Sequence, residues 1–275
     1  MIHLATIHYG DDSWIDPQLT YLARNTAEDY RVWACLDYID PAQFENFHFA
    51  AARGEPIEAE LRFLVEQISA VAEPDDMLVF LHGDTLPIRE WSRPVRELLG
   101  AKPLVGIRRE ENLGEPHPHW CFTATTVGFW NRLGSDWSRG PDWIGSNGVA
   151  VSDYGASLWQ DIETAGVEWE PLLRSNRRDL HPLWFGIYGG LIYHHGAAFR
   201  KPVEGAIRAR IGTGHDPSSW PVSRLDAAQA PRPNGLITRL AHKGFLWNRA
   251  RKINRDSARL YAALRADPEF WRELA

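Results

Sequence analysis

The sequence predicts an α/β fold: a mostly parallel central sheet with helices on both faces, followed by a loop and a helical C-terminal extension. Short apolar runs bounded by turn residues recur through the first 110 residues. The segments between them place apolar side chains at helical spacing. The two kinds alternate as β-α-β-α-β-α-β, the order of strands joined by crossover helices.

The elements follow in turn. IHLATIH (2–8) reads as the first strand. Asp16-Pro17 opens a helix, with Asp as N-cap, Pro in the first turn, and Leu19 and Leu22 facing inward. RVWACLD (31–37) is the second strand. Leu61, Leu64, Val65 and Ile68 stand at i, i+3, i+4 and i+7, which makes 57–72 an amphipathic helix. LVFL (78–81) is a buried strand, Trp91 to Leu99 a further helix and PLVGI (103–107) a fourth strand.

Beyond residue 110 the pattern changes. HWCFTATTVGFW (119–130) and WFGIYGGLIYHH (184–195) read as strands, separated by a Gly/Asp/Trp-rich loop and a helix starting near Ser152 or Asp153. Residues 1–200 are expected to form the main domain, 201–235 a flexible loop rich in Pro, Gly and Ser, and 236–275 a basic helical extension.

Composition narrows the function. The chain has 275 residues, 44% of them hydrophobic and 24% charged, as in ordinary folded soluble proteins. A net charge of -6 argues against a dedicated nucleic-acid binder. Cys35 and Cys121 lie in apolar runs and read as reduced core thiols. MIHLATIHYG has no basic n-region or long apolar stretch, so a cytoplasmic protein is expected. The glycine-rich dinucleotide fingerprint, the P-loop, H-E-x-x-H and G-x-S-x-G are all missing.

The strand at 78–81 runs straight into His82, Gly83 and Asp84. In open α/β sheets ligands bind at the carboxyl ends of strands. Residues two apart on an extended chain point the same way, so His82 and Asp84 would face one site. Gly83 would let a bulky anion approach the backbone. An oxygen ligand beside an imidazole suits a divalent cation holding a diphosphate, and the imidazole favours Mn over Mg. The same triplet also reads as a polar turn.

The run DDMLVFLHGDTLPIREW resembles the region around the D-x-D motif of GT-A-fold glycosyltransferases, with His82 in place of the first acid. PHWCFTATTVGFW looks like the segment lining the donor sugar, VSDYGASL like the acidic helix start that supplies the base, and LIYHHGAAFR like the late strand with a metal-binding histidine. The resemblance covers roughly residues 1–200.

It implies a GT-A type sheet and a nucleotide-sugar donor whose glycosyl group passes to an acceptor hydroxyl, with inversion. Asp84 with His195, joined by His82, would hold the metal. Thr6, His8, Asp37, His82, Gly83, Asp84 and Arg108 would seat the donor; Arg109 is the alternative to Arg108. Asp153 would be the general base, although a helix N-cap explains it equally well. Only one of His194 and His195 can enter the site from a strand.

Trp137, Asp142, Trp143 and Asn147 are candidate acceptor contacts, and the loop at 201–235 a candidate cover for the donor. Arg239, Lys243, Arg249, Arg251, Lys252, Arg255 and Arg259 form either a solvated helix face or a contact for an anionic membrane surface. Two other readings remain: a non-catalytic nucleotide- or sugar-binding protein of this fold, and a metal-dependent hydrolase using His117 and His119 with His194 or His195.

Overall fold

A computed structural model describes residues 1–146, 148, 150–181, 183–196 and 236–275, except the side chains of 236–247, 249 and 250. The expected loop at 201–235, Asn147, and the side chains of Arg239, Lys243 and Arg249 lie outside the described residues.

The chain folds around a seven-stranded sheet. Its spatial order is β10 (Glu170–Leu172), β6 (Leu104–Ile107), β7 (His119–Thr126), β4 (Met77–His82), β1 (Ile2–Tyr9), β2 (Tyr30–Asp37) and β3 (Phe49–Ala51). The pairs β3–β2, β2–β1, β1–β4 and β6–β10 are parallel, whereas β7 runs antiparallel to both of its neighbours. This is the mixed α/β architecture the alternation predicted. Ile7 lies opposite His82 and Tyr9 opposite Asp37, so the carboxyl ends of β4, β1 and β2 finish side by side.

Alternation along the strands builds two apolar layers. Ile2, Leu4, Val79 and Leu81 pack with Ile15 and Leu22 of α1 (Ile15–Asn25) and Val95 of α3 (Ser92–Ala101). Ala5, Ile7, Leu78 and Phe80 pack on the opposite face. That face is covered by α2 (Ile57–Ser69), α4 (Val127–Leu133) and α5 (Ala156–Thr164). Burying each large apolar side chain is worth about 1.5–3 kcal/mol, so these layers, rather than surface ion pairs, hold the sheet.

Four boundaries differ from the sequence expectation, the first at α1, which starts at Ile15 so that Asp16 lies inside its first turn instead of capping it. The strand expected over 119–130 stops at Thr126, whose hydroxyl accepts from the Phe129 N–H and caps α4. The β-prone residues Val127 and Trp130 then stand three apart and face the core. The run at 184–195 is a hairpin of β11 (Gly186–Tyr188) and β12 (Ile192–His194), turned by Gly189 and Gly190 at φ +57° and +67°. α5 starts at Ala156 with Gly155 as its N-cap, so Asp153 does not cap it.

β12 pairs in turn with β5 (Thr85–Pro87), placing His194 opposite Thr85. A short ribbon of β8 (Trp143–Ile144) and β9 (Ala150–Val151) completes the strands. The final helix, α6 (Leu236–Ala266), docks through Ile253, Leu260 and Leu264 against Trp14, Leu86 and Tyr193. Among the described residues, no helix is long and apolar enough to cross a membrane.

Candidate active site and metal centre

A cleft of about 560 Å³ opens across the carboxyl ends of the central strands. β4 delivers His82 and Asp84 to its floor, and β12 delivers His194. His82 Nδ1 donates to Asp84 Oδ1 at 3.1 Å, and His194 Nε2 lies 3.6 Å from the same oxygen. One ligand atom from each of the three residues lies within 4.8 Å of the others. Burial alone would raise the Asp84 carboxyl; the hydrogen bond from His82 and the neighbouring His194 outweigh it and hold Asp84 well below the usual carboxylate range. An ionised carboxylate beside two imidazoles is a donor set that fits a borderline divalent cation better than Mg, which prefers oxygen alone.

His194, rather than the expected His195, faces Asp84. His195 points to the other side of the strand, where its Nδ1 meets the Tyr193 hydroxyl and its Nε2 the Ser257 hydroxyl, each at 2.8 Å. Its ring also packs on Trp14. Only its backbone touches the site, its N–H donating to the Asp84 carbonyl at 3.1 Å.

The same change of phase occurs on β1. Thr6 and His8 face α1 and do not line the cleft, which receives Ile7 and Tyr9 instead. Both nevertheless support the turn that carries His82 and Asp84 through Gln18. Its Oε1 receives Thr6 Oγ1 at 3.2 Å and His8 Nε2 at 3.1 Å. Its Nε2 donates to the carbonyls of His82 and Thr85 at 2.7 and 3.3 Å, on either side of Gly83-Asp84. Burial pushes His8 down to about 4, so at neutral pH it is a neutral donor. A Cβ on Gly83 would come within 2.6 Å of the Ile7 carbonyl oxygen and 2.8 Å of His8 Nδ1. Glycine is therefore required at 83 for packing against β1.

On the β2 side, Asp37 lines the cleft and accepts from the Gly54 N–H at 2.9 Å, with Glu55, Pro56 and Tyr9 around it. Tyr9 stacks edge-on with exposed Tyr38, which sits at φ +59°. On the β6 side the phase again differs. Arg108 stays at the surface, paired with Glu110, while Arg109 enters the cleft. Arg109 donates to buried Glu115 at 2.7 Å and to Asp153 at 3.1 Å. The two carboxylates raise its pKa against the opposing effect of burial. Asp153 thus reaches the cleft as the outer partner of a buried arginine.

His119 also lines the cleft. The Cys121 N–H donates to its Nδ1 at 3.1 Å, leaving the neutral ring's proton on Nε2. Burial, reinforced by Arg109, holds its pKa well below the ordinary value. The neutral ring therefore offers an N–H at Nε2 rather than a free lone pair. His117, bonded to the Pro118 carbonyl at 2.9 Å and edge-on to Trp143, is buried away from Asp84. The hydrolase arrangement of His117 and His119 with a late histidine therefore does not assemble among the described residues.

Of the other aromatic candidates, Trp137 belongs to the core beneath α4 and Trp143 to a small cluster with Leu113 and Val151. Asp142 is exposed. The cleft's aromatic walls are Trp120, Tyr154 and Trp184. None of these three, nor Tyr9 or Arg139, follows from a local motif; only the assembled sheet edge brings them together.

No protein-family profile matches the chain, and neither does any curated protein. Among solved structures, an active-site mutant of LgtC is similar at 10% identity and TM-score 0.33, over 48% of this chain and 59% of that one. The galactosyltransferase LgtC in complex with donor and acceptor sugar analogues is similar at 12% identity and TM-score 0.31, over 48% and 60%. The chain thus spans about three fifths of the length of those structures. At that similarity the chemistry has to be read from the residues of the cleft.

Proposed function

We propose that this protein is a GT-A-type glycosyltransferase that moves a sugar from a nucleotide diphosphate donor to an acceptor hydroxyl, with inversion. The observation that carries this reading is the convergence of His82, Asp84 and His194 midway along a cleft crossing several strand ends. From β2 to β6 there are four inter-strand spacings, in the order β2-β1-β4-β7-β6. At about 4.8 Å each they span roughly 19 Å, with Asp84 near the middle. That length supports two substrates meeting at one centre.

The nucleoside lies on the β2 side, where Asp37 accepts a hydrogen bond from it and Tyr9 offers a ring face. His82, Asp84 and His194 would hold a divalent cation, manganese in preference to magnesium, which would supply positive charge against that of the diphosphate. His119 donates to the same region through Nε2. Asp153, oriented by Arg109, takes the proton of the acceptor hydroxyl as that oxygen bonds to the anomeric carbon and the diphosphate leaves from the opposite face. Trp120 and Trp184 shield the reacting atoms from water. On α6, the exposed Arg251, Lys252 and Arg255 meet an anionic surface, and co-sedimentation with phosphatidylserine vesicles at low salt tests that contact.

Calorimetric titration with nucleoside diphosphates, with and without Mn, tests the central claim. Metal-dependent binding is expected in the wild type and none in Asp84→Ala. Undiminished binding by that variant would overturn the reading. A donor-hydrolysis assay then separates turnover from binding alone.

A further inference from the structure

Two arginines line the cleft, and they differ in what they face. Arg109 is buried and shared between Glu115 and Asp153. Arg139 is exposed at the rim and has no acidic partner among the described residues. Its guanidinium lies over the Tyr154 ring, 5.0 Å from the centroid. An unneutralised cation is unusual in a cleft that also presents Asp37, Glu55, Asp84 and Asp153.

The local backbone holds this arginine in place. Arg139 and Tyr154 form an isolated antiparallel bridge. The Ser138 carbonyl accepts from the Gly155 and Ser157 N–H groups at 3.2 and 3.4 Å. A Cβ on Gly140 would lie 2.3 Å from the Ser157 nitrogen, so the segment is packed directly on the start of α5. Arg139 therefore has a backbone tied to the residues just after Asp153 and a side chain oriented by an aromatic face.

Sheet order decides which substrate it serves. Asp153 is fixed to the β6 side by Arg109, and Asp37 stands on β2, across β7, β4 and β1. Arg139 is tied to the neighbour of Asp153. On the glycosyl-transfer reading this is the acceptor end, opposite the nucleotide.

We infer that the acceptor is an anionic sugar, whose carboxylate or phosphate is received by Arg139 on its Tyr154 platform. This rests on the glycosyl-transfer reading for the word acceptor, but the anion site is defined by the arginine alone. Guanidinium suits such groups because its N–H donors form a planar fork matching carboxylate and phosphate oxygens. Trp120 and Trp184, on the same cleft, supply faces for the sugar ring.

The test is a set of NMR titrations of the full chain, labelled with ¹⁵N, in the absence of metal and nucleotide. The Nε–H cross-peak of Arg139 is identified by its loss in Arg139→Gln. Glucuronate, glucose 6-phosphate and glucose are added separately. At least one charged sugar should shift that peak to saturation, while glucose at equal concentration leaves it in place. Which charged sugar acts distinguishes carboxylate from phosphate. Arg139→Gln should lower the affinity of that sugar, followed on backbone signals of Tyr154 and Gly155, by about tenfold. A peak moved equally by all three sugars, or by none, overturns the assignment, as does an unchanged affinity in Arg139→Gln. With no nucleotide present, that failure leaves the donor reading standing. Missing nucleotide binding in the calorimetric experiment would do the reverse.

Discussion

The side-chain amide of Gln18 donates to the backbone carbonyl of His82 at 2.7 Å, tying helix α1 to the turn that carries His82 and Asp84. Its oxygen is meanwhile engaged by Thr6 and His8. Gln18→Leu removes all of these bonds and leaves buried polar groups behind. It is expected to cost about 1–3 kcal/mol per group left unsatisfied, measured by urea denaturation. Manganese affinity should fall as well, because the triplet loses its support.

Gly83→Ala tests the same turn from the backbone side. The added methyl meets the fixed carbonyl of Ile7 at 2.6 Å, so β1 or the turn has to shift. A loss of about 1–3 kcal/mol in stability is expected from overpacking of this kind. A variant as stable as the wild type would show that the turn has room to relax.

The two adjacent histidines of β12 should separate cleanly. His194→Ala removes an imidazole beside Asp84 and should lower manganese affinity by at least about tenfold, as the loss of a metal ligand does. His195→Ala breaks bonds to Tyr193 and Ser257 in the core and should lower stability while changing manganese affinity far less. Manganese titration of both proteins, followed by thermal melting, reads both effects. Equal loss of affinity in the two would contradict the assigned orientation.

Acid should destabilise the metal-free protein before the carboxylates titrate. Burial holds His8 and His195 down to about 4 when folded, against an ordinary 6.5 when unfolded. Between those values the unfolded chain binds protons that the folded chain refuses. Their burial therefore leaves stability unchanged above about pH 6.5 and lowers it progressively as the pH falls toward 4. Melting temperatures measured in EDTA should decline over that window. In His8→Gln the decline should be shallower.

The Arg109 cluster separates structure from chemistry. Arg109→Leu leaves Glu115 buried without its cation and should cost about 3–5 kcal/mol. Asp153→Asn keeps an oxygen for Arg109, so stability should change little. Sugar transfer should fall by about 10²–10⁴-fold if Asp153 is the base, at unchanged nucleotide affinity. Single-turnover rates compared with calorimetry of the same variant provide the check.

Much of the framework was legible in the chain itself. Apolar runs with turn residues at their ends marked β1, β2, β4 and β6, and the i, i+3, i+4 spacing of Leu61, Leu64 and Val65 marked α2. These signals are local, because a strand or helix face must be continuous to be buried. The exit of β4 into His82-Gly83-Asp84 was equally local, and it identified the centre of the cleft. What the linear pattern left open was phase. Thr6 against Ile7, Arg108 against Arg109 and His195 against His194 are neighbours on extended chain, and neighbours point in opposite directions.

Periodicity alone does not say which of two polar neighbours meets solvent and which meets another element. Packing of α1 on one face of β1 turned Thr6 and His8 toward Gln18, and pairing of β12 with β5 turned His194 toward Asp84. Arg139 carried no local signal at all; its place beside Tyr154 exists only because two segments meet at the start of α5. The sequence by itself determined the main strands and helices of the first 110 residues, their order and the carboxylate at the sheet edge. The tertiary structure decided which imidazoles and guanidinium groups share the cleft with it, because side-chain direction is set by contacts between segments far apart in the chain.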